Sequence, residues 1–157
     1  MWESLNIAIA IIDAAADFFV STKRIILVQI FFFAMSMFVL MFWMGAQLCV
    51  YSLNDFKHPD VAGSQSKEIV WKGSVKFMSV FLFFALMWTL KFIDDKTKFI
   101  AMTSAATYYF DSNAEKEGSA SVCKAISFAY GSHLGSIALG SFCVTVITFL
   151  TFIVESL

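Results

Sequence analysis

The chain alternates between long apolar stretches without charge and short blocks that contain its charged residues. Residues 25–51 and 125–154 contain no Asp, Glu, Lys or Arg. About 20 predominantly apolar residues are enough to cross the roughly 30 Å hydrocarbon core of a bilayer. The pattern therefore predicts two membrane-spanning helices, one over 25–51 and one over 125–157.

The middle of the chain predicts a third membrane-spanning helix over 77–110. Its two uncharged pieces, 77–90 and 99–110, are separated by a charged block at 91–98. Neither piece alone is long enough to cross comfortably. We expect one long helix that crosses once, and the pattern leaves open a broken helix that lines a polar cavity.

The first 24 residues form a different pattern, in which polar side chains recur at helical spacings and the remaining face is apolar. These polar residues are Glu3, Asn6, Asp13, Asp17 and Arg24. Such a pattern is typical of an amphipathic helix that lies in the membrane interface. With polar loops at 52–76 and 111–124, the sequence predicts an all-α membrane protein of about three transmembrane helices plus an N-terminal interfacial helix.

Composition supports a membrane protein and excludes some partners. Hydrophobic residues make up 59% of the chain and charged residues 15%, whereas a soluble domain is about half apolar and a quarter charged. A net charge of −1 provides no positive field to hold nucleic acid. The expected partners are therefore the lipid bilayer and other membrane proteins.

The sequence contains no recognisable catalytic or metal-binding constellation. His58 and His133 have no Cys or carboxylate at metal-ligand spacing, and Cys49 and Cys143 lie inside predicted spans as small apolar side chains. We expect no enzyme activity, no metal and no cofactor.

Aromatic residues make up 17% of the chain and have two interpretations. Several occur where the aromatic belts of a membrane protein would fall. Some are also suited to surround a quaternary ammonium group by cation–π attraction. The residues proposed for this second role are Trp88, Phe92, Tyr108 and Tyr109.

The last predicted span contains rows of small residues. Gly131 and Gly135 form a GxxxG pattern, and Ser132, Ser136 and Gly140 form a second row. Small residues let helix backbones approach closely in lipid. This face is expected to pack on another helix, either of the same chain or of a neighbouring subunit.

Three motifs resemble those of the choline transporter-like proteins. Residues 86–93 (LMWTLKFI) are similar to the family's LWT-x-x-FI stretch, and residues 100–110 (IAMTSAATYYF) to its IAGA-x-A-x-WYF segment. Residues 133–141 (HLGSIALGS) are close to its HLGS-x-A-x-GS motif. The resemblance implies a polytopic membrane fold and a choline-like amine as the substrate class.

Two functional hypotheses follow. We favour a small accessory or structural subunit that resembles the core spans of a choline transporter-like protein and packs within a larger membrane complex. Three spans alone cannot enclose an alternating-access path, which generally needs two bundles or repeats. The alternative is a transporter of choline or another quaternary amine, or a fragment of one. The sequence does not name the membrane, and the subunit hypothesis alone suggests the mitochondrial inner membrane.

Overall fold

The computed structural model describes residues 2–57, 68–112 and 118–156. Its helices are α1 (Trp2–Ser21), α2 (Arg24–Tyr51), α3 (Gly73–Asp111), α4 (Val122–Gly131) and α5 (Leu134–Ser156). Two short strands, β1 (Asp55–Lys57) and β2 (Glu68–Val70), pair antiparallel, with Phe56 opposite Ile69.

The predicted all-α membrane fold is confirmed. Among the described residues, four helices are long and apolar enough to cross a membrane, where the sequence predicts about three. The additional one is α1, whose residues Ser4–Ser21 meet the same requirement of length and composition. Many large apolar side chains are exposed, Phe42 at 73% and Phe110 at 83% among them. Exposed apolar side chains on long helices are suited to contact with lipid tails.

The chain divides into two compact units. The first contains Met1–Ala34 and Phe92–Gly140, and the second contains Met35–Lys91 and Ser141–Leu157. Helices α2, α3 and α5 each contribute a segment to both units.

Small residues form much of the core of the first unit. Ala125 and Ala129 of α4 are fully buried, as are Ile100 and Ser104 of α3. Alanine and serine leave room for a close approach of helix backbones. One turn after Ser104, the ring of Tyr108 meets that of Phe18 edge to face at 5.6 Å between centroids.

Half-buried and exposed aromatic rings connect α3 and α5 within the second unit. Phe84 of α3 packs edge to face against Phe142 and Phe149 of α5, with centroids 6.0 and 5.4 Å away. Hydroxyl groups on α5 donate to carbonyl groups one turn earlier, as Thr145 does to Ser141 at 2.7 Å. Because these hydroxyls have a partner within the helix, they are tolerated in an apolar environment.

Helix α3 is continuous through the charged block, so the structure has the single long helix that the sequence favours and no break lining a cavity. Lys98 forms an ion pair with Asp94 one turn earlier, at 2.7 Å. Thr97 donates to the carbonyl oxygen of Ile93 at 2.8 Å. Both contacts run along α3 and leave the helix uninterrupted.

The segment predicted as one helix over 125–157 is divided between α4 and α5. The backbone N–H groups of Ser132 and His133 both donate to the carbonyl oxygen of Phe128, at 3.1 and 3.3 Å. The His133 ring also packs on the Phe128 ring, 4.4 Å between centroids. Gly131 and Ser132 are weak helix formers, so the chain turns here. The two glycines of the GxxxG pattern therefore lie on different helices: Gly131 ends α4, and Gly135 lies at the start of α5.

The predicted loops are only partly described. In the 52–76 segment, Asn54 accepts a hydrogen bond from the backbone N–H of Lys72 at 3.4 Å, and the rings of Tyr51 and Trp71 meet at 5.6 Å. Residues 58–67, which include His58, lie outside the described residues, as do residues 113–117 of the second loop.

Candidate functional site

A cleft of about 560 Å³ lies within the second unit, between segments of α2, α3 and α5. Its size falls within the range of about 300–1,000 Å³ typical of small-molecule sites. All of its lining residues are uncharged. They are Trp43, Gln47 and Tyr51 from α2, Ser79, Val80 and Phe83 from α3, and Phe149, Phe152 and Ile153 from α5.

Trp43 is held in a fixed orientation at this cleft. Its indole N–H donates to the backbone carbonyl oxygen of Leu82 at 3.0 Å. Its ring lies 6.4 Å from that of Phe83, which is in turn 6.1 Å from the ring of Phe152. A half-buried indole N–H needs a hydrogen-bond partner. The bond to Leu82 supplies it and holds the Trp43 ring in one orientation at the cleft wall.

Three polar side chains form a hydrogen-bonded group at the same cleft. The Gln47 amide nitrogen, Nε2, donates to the hydroxyl oxygens of Ser79 and Tyr51. Ser79 Oγ and Tyr51 Oη are themselves hydrogen-bonded at 3.3 Å. The group joins α2 to α3 across a separation of about 30 residues in sequence.

The other end of the Gln47 amide has no partner. Gln47 is 8% exposed, and its Oε1 is buried without a hydrogen bond among the described residues. A buried acceptor without a partner costs about 1–3 kcal/mol.

The electrostatic character of the cleft follows from its aromatic walls. The face of an aromatic ring carries negative potential and attracts cations, most strongly for Trp. No carboxylate or basic side chain is among the lining residues. The cleft is therefore suited to a group that is positively charged, poorly hydrated and partly apolar.

None of the four predicted aromatic residues is among those that line this cleft. Trp88 lies on α3 and meets the Phe142 ring edge to face at 5.5 Å. The Phe92 ring faces a cation from its own chain, because Lys96 Nζ lies 4.4 Å from its centroid. The same ammonium group lies 4.6 Å from the centroid of Tyr130 on α4.

Tyr108 and Tyr109 lie far from Phe92 on α3. Sixteen residues separate Phe92 from Tyr108, which is about 24 Å along a helix that rises about 1.5 Å per residue. Tyr108 packs against Phe18, whereas Tyr109 is 73% exposed. One ammonium group therefore cannot contact both Phe92 and Tyr108, and choline binding at any of the four stays a prediction.

The predicted helix-packing residues lie at the surface of the described chain. A Cβ atom added at Gly131, Gly135 or Gly140 would meet nothing within 4 Å beyond the helix's own backbone. Ser132 and Ser136 are also exposed. Among the described residues, the three glycines are therefore not packed against another helix, and a contact with a neighbouring subunit stays a prediction.

The sequence pattern does not identify Trp43 as a site residue, and it does not single out Gln47, Tyr51 or Ser79. One signal was present, because Gln47 is a polar amide in a mostly apolar span, where polar groups are costly unless bonded. Its partner Ser79 is distant in sequence, so only packing brings the two together.

No group of three or more potential metal ligands occurs within the described ranges. His133 packs instead against Phe99 and Phe128. Cys49, Cys123 and Cys143 are exposed as free thiols.

The fold and the cleft define an α-helical integral membrane protein with an uncharged, aromatic-walled site. The family model described as plasma-membrane choline transporter matches residues 1–157, the whole chain, and the chain belongs to that family. The resemblance seen in the three sequence motifs is thereby confirmed. Searches among curated proteins and among solved structures give no match.

Proposed function

We propose that this chain takes part in the transport of choline or a closely related quaternary amine, and that the Gln47 cleft is its amine-binding site. One observation carries the proposal: an aromatic-walled cleft without charged side chains, in a chain of the plasma-membrane choline transporter family. This is the alternative to the accessory subunit that the sequence alone favoured.

The chemistry of a quaternary ammonium group supports this assignment. Its methyl groups spread the positive charge over an apolar surface, and the nitrogen has no N–H to donate. Such a group gains more from aromatic faces than from a hydrogen-bond acceptor. Trp43, Phe83 and Phe152 are the aromatic residues that line the cleft beside Tyr51 and Phe149.

Transport requires more than binding. Alternating access generally moves two bundles or repeats against each other. We therefore propose that the cleft becomes a transport path together with further membrane helices, from this polypeptide or from another. The family description favours the plasma membrane as the location, over the mitochondrial inner membrane suggested by the subunit hypothesis.

Choline binding to the chain in lipid nanodiscs tests the proposal. Trp43→Leu removes the ring that is fixed at the cleft wall, and Trp88→Leu removes a tryptophan that lies outside it. A desolvated cation–π contact contributes about 2 kcal/mol, or roughly a 30-fold change in affinity. We expect Trp43→Leu to weaken choline binding by about this factor and Trp88→Leu to leave it within about twofold.

Two results would overturn the proposal. The first is the absence of saturable binding at millimolar choline. The second is a larger loss with Trp88→Leu than with Trp43→Leu, which would return the site to the aromatic residues chosen from the sequence. Thermal unfolding of both variants, followed by circular dichroism, establishes that each is folded.

A packing role in a larger complex is the second candidate function. The observation that favours it is the open space at Gly135 and Gly140 on the exposed face of α5. A face of small residues in lipid is suited to close contact with another helix. This role is compatible with amine binding, because none of these glycines lines the Gln47 cleft.

A further inference from the structure

We infer that this chain binds the phosphate group of an anionic molecule in a second cleft, located where α1 meets α2. This cleft has a volume of about 540 Å³ and lies within the first unit. It shares no lining residue with the Gln47 cleft, and its ligand has the opposite charge. Its lining residues are Ser21, Thr22, Lys23 and Arg24 at the junction of α1 and α2, and Gly118, Ser119 and Ala120 after α3.

The first argument is the charge of this basic cleft. Lys23 and Arg24 are exposed, and neither forms an ion pair with another described residue. No carboxylate is among the described residues that line the cleft. Both side chains are long enough to turn toward a ligand, and the Arg guanidinium matches the oxygen geometry of a phosphate group. The cleft is therefore suited to an anion with several oxygen acceptors.

The second argument is that hydrogen bonds hold both walls of the basic cleft. On one side, the Thr22 backbone N–H donates to the carbonyl oxygen of Phe18 at 2.9 Å, and the carbonyl oxygen of Thr22 accepts from the Ile25 N–H at 3.0 Å. On the other side, the Ser119 backbone N–H donates to Asp111 Oδ2 at 2.9 Å. A cleft whose walls are already in place binds a ligand at a lower ordering cost.

Gly118 allows the second wall to lie close to the end of α3. A Cβ atom at this position would collide with the backbone carbonyl oxygen of Tyr108. Tyr108 packs in turn against Phe18 of α1. The same end of α3 is therefore in contact with both segments that line the basic cleft.

The third argument is the depth of the basic cleft in the membrane. Lys23 and Arg24 come directly before the uncharged stretch 25–51. Basic residues that flank a membrane-spanning stretch lie at the depth of the lipid headgroups. Basic pockets at this depth bind the headgroups of anionic lipids. The phosphate group therefore has two available sources, a lipid headgroup and a soluble phosphate.

The test measures binding of tritiated phosphatidic acid to the purified chain in mild detergent, by scintillation proximity. Unlabelled phosphatidic acid and phosphatidylethanolamine with the same acyl chains serve as competitors. The second lipid carries the same phosphate group with an ammonium group that Lys23 and Arg24 repel, and it has no quaternary amine for the Gln47 cleft. We expect phosphatidic acid to compete at least tenfold more strongly than phosphatidylethanolamine.

Variants assign the binding to this basic cleft. A basic side chain near an anionic membrane surface contributes about fivefold in affinity. Lys23→Gln combined with Arg24→Gln should therefore weaken binding of phosphatidic acid by about 30-fold, whereas Lys23→Arg, which keeps both charges, should retain it. Lys72→Gln combined with Lys76→Gln removes two exposed cations around the start of α3 and should change it by less than twofold. Thermal unfolding establishes that each variant is folded.

Inorganic phosphate distinguishes the two sources. Displacement of phosphatidic acid by millimolar phosphate would support a site that recognises the phosphate group alone. Binding that phosphate does not displace would support a site for the lipid, whose acyl chains then add to the affinity. Equal competition by the two lipids on the unmodified chain would overturn the inference. Equal losses in the two double variants would also overturn it, because the effect would then be one of overall charge.

Discussion

Lys96 illustrates, at the scale of single residues, how this chain accommodates a buried charge. The side chain is 7% exposed, and its ammonium group lies over the rings of Phe92 and Tyr130. Cation–π attraction grows as the cation loses water, to about 2 kcal/mol or more. Two aromatic faces on two helices therefore offset part of the cost of burying the charge.

We predict a large coupling energy between Lys96 and Tyr130. In a double-mutant cycle of Lys96→Met and Tyr130→Leu, thermal unfolding in detergent should give a coupling of about 1–2 kcal/mol. The matched control is the exposed pair Lys98 and Asp94, for which a helical ion pair is worth about 0.3–0.5 kcal/mol. A Lys96–Tyr130 coupling no larger than that of the control pair would contradict the prediction.

The candidate site shows which single residues a sequence can reveal. The aromatic content was visible, and so was its suitability for a quaternary ammonium group. The particular residues could not be chosen from the sequence, because Trp43, Phe83 and Phe152 come together only when three helices pack. The unpaired oxygen of Gln47 is a property of that packing and has no counterpart in the sequence pattern.

At the scale of elements, α5 presents the clearest unpartnered face. Gly135 has no atom from elsewhere in the described chain near its Cβ position. The subunit-packing hypothesis requires this face to receive another helix, since close approach depends on small residues.

We predict that Gly135→Leu weakens association with neighbouring membrane proteins and leaves the isolated chain stable. Association is measured by native gel and mass spectrometry after extraction in a mild detergent, and stability by thermal unfolding. The matched control is Gly45→Leu on α2, where the structure also has open space but where no row of small residues was identified. If both variants associate as the unmodified chain does, the α5 face is not an interface.

The helices could be predicted from the sequence to different degrees. Long uncharged stretches identified α2 and the larger part of α5, because hydrocarbon excludes charge over a defined length. A single α3 was favoured because neither uncharged piece is long enough to cross alone, and the charged block between them left a break open. The turn between α4 and α5 was missed, since it depends on the shared Phe128 carbonyl oxygen and on the packing of His133.

At the scale of the whole molecule, the position of α1 in the membrane decides how many times the chain crosses it. The helix is long and apolar enough to span. It also carries Asp13 and Asp17, both exposed, and charged side chains at membrane depth are costly unless they face protein or water. Helix α1 is therefore long enough to cross the membrane. Its two exposed carboxylates favour the interfacial position that the sequence predicts.

We predict that position 13 is accessible to water. In a chain whose three cysteines are replaced by alanine, Asp13→Cys should react with a membrane-impermeant maleimide about as fast as Ser21→Cys. Ser36→Cys, in the middle of α2, should stay unlabelled until the membrane is dissolved. Protection of position 13 to the same degree as position 36 would instead show that α1 spans the bilayer.

The central claim is that a quaternary amine binds in the Gln47 cleft, and fluorine NMR tests it most directly. The chain contains four tryptophans, so 5-fluorotryptophan labelling gives four signals that can be assigned by single substitutions. Titration with choline in nanodiscs should shift the Trp43 signal saturably and leave those of Trp2 and Trp88 unchanged. A saturable shift at Trp88 without one at Trp43, or no shift at any tryptophan, would contradict the account.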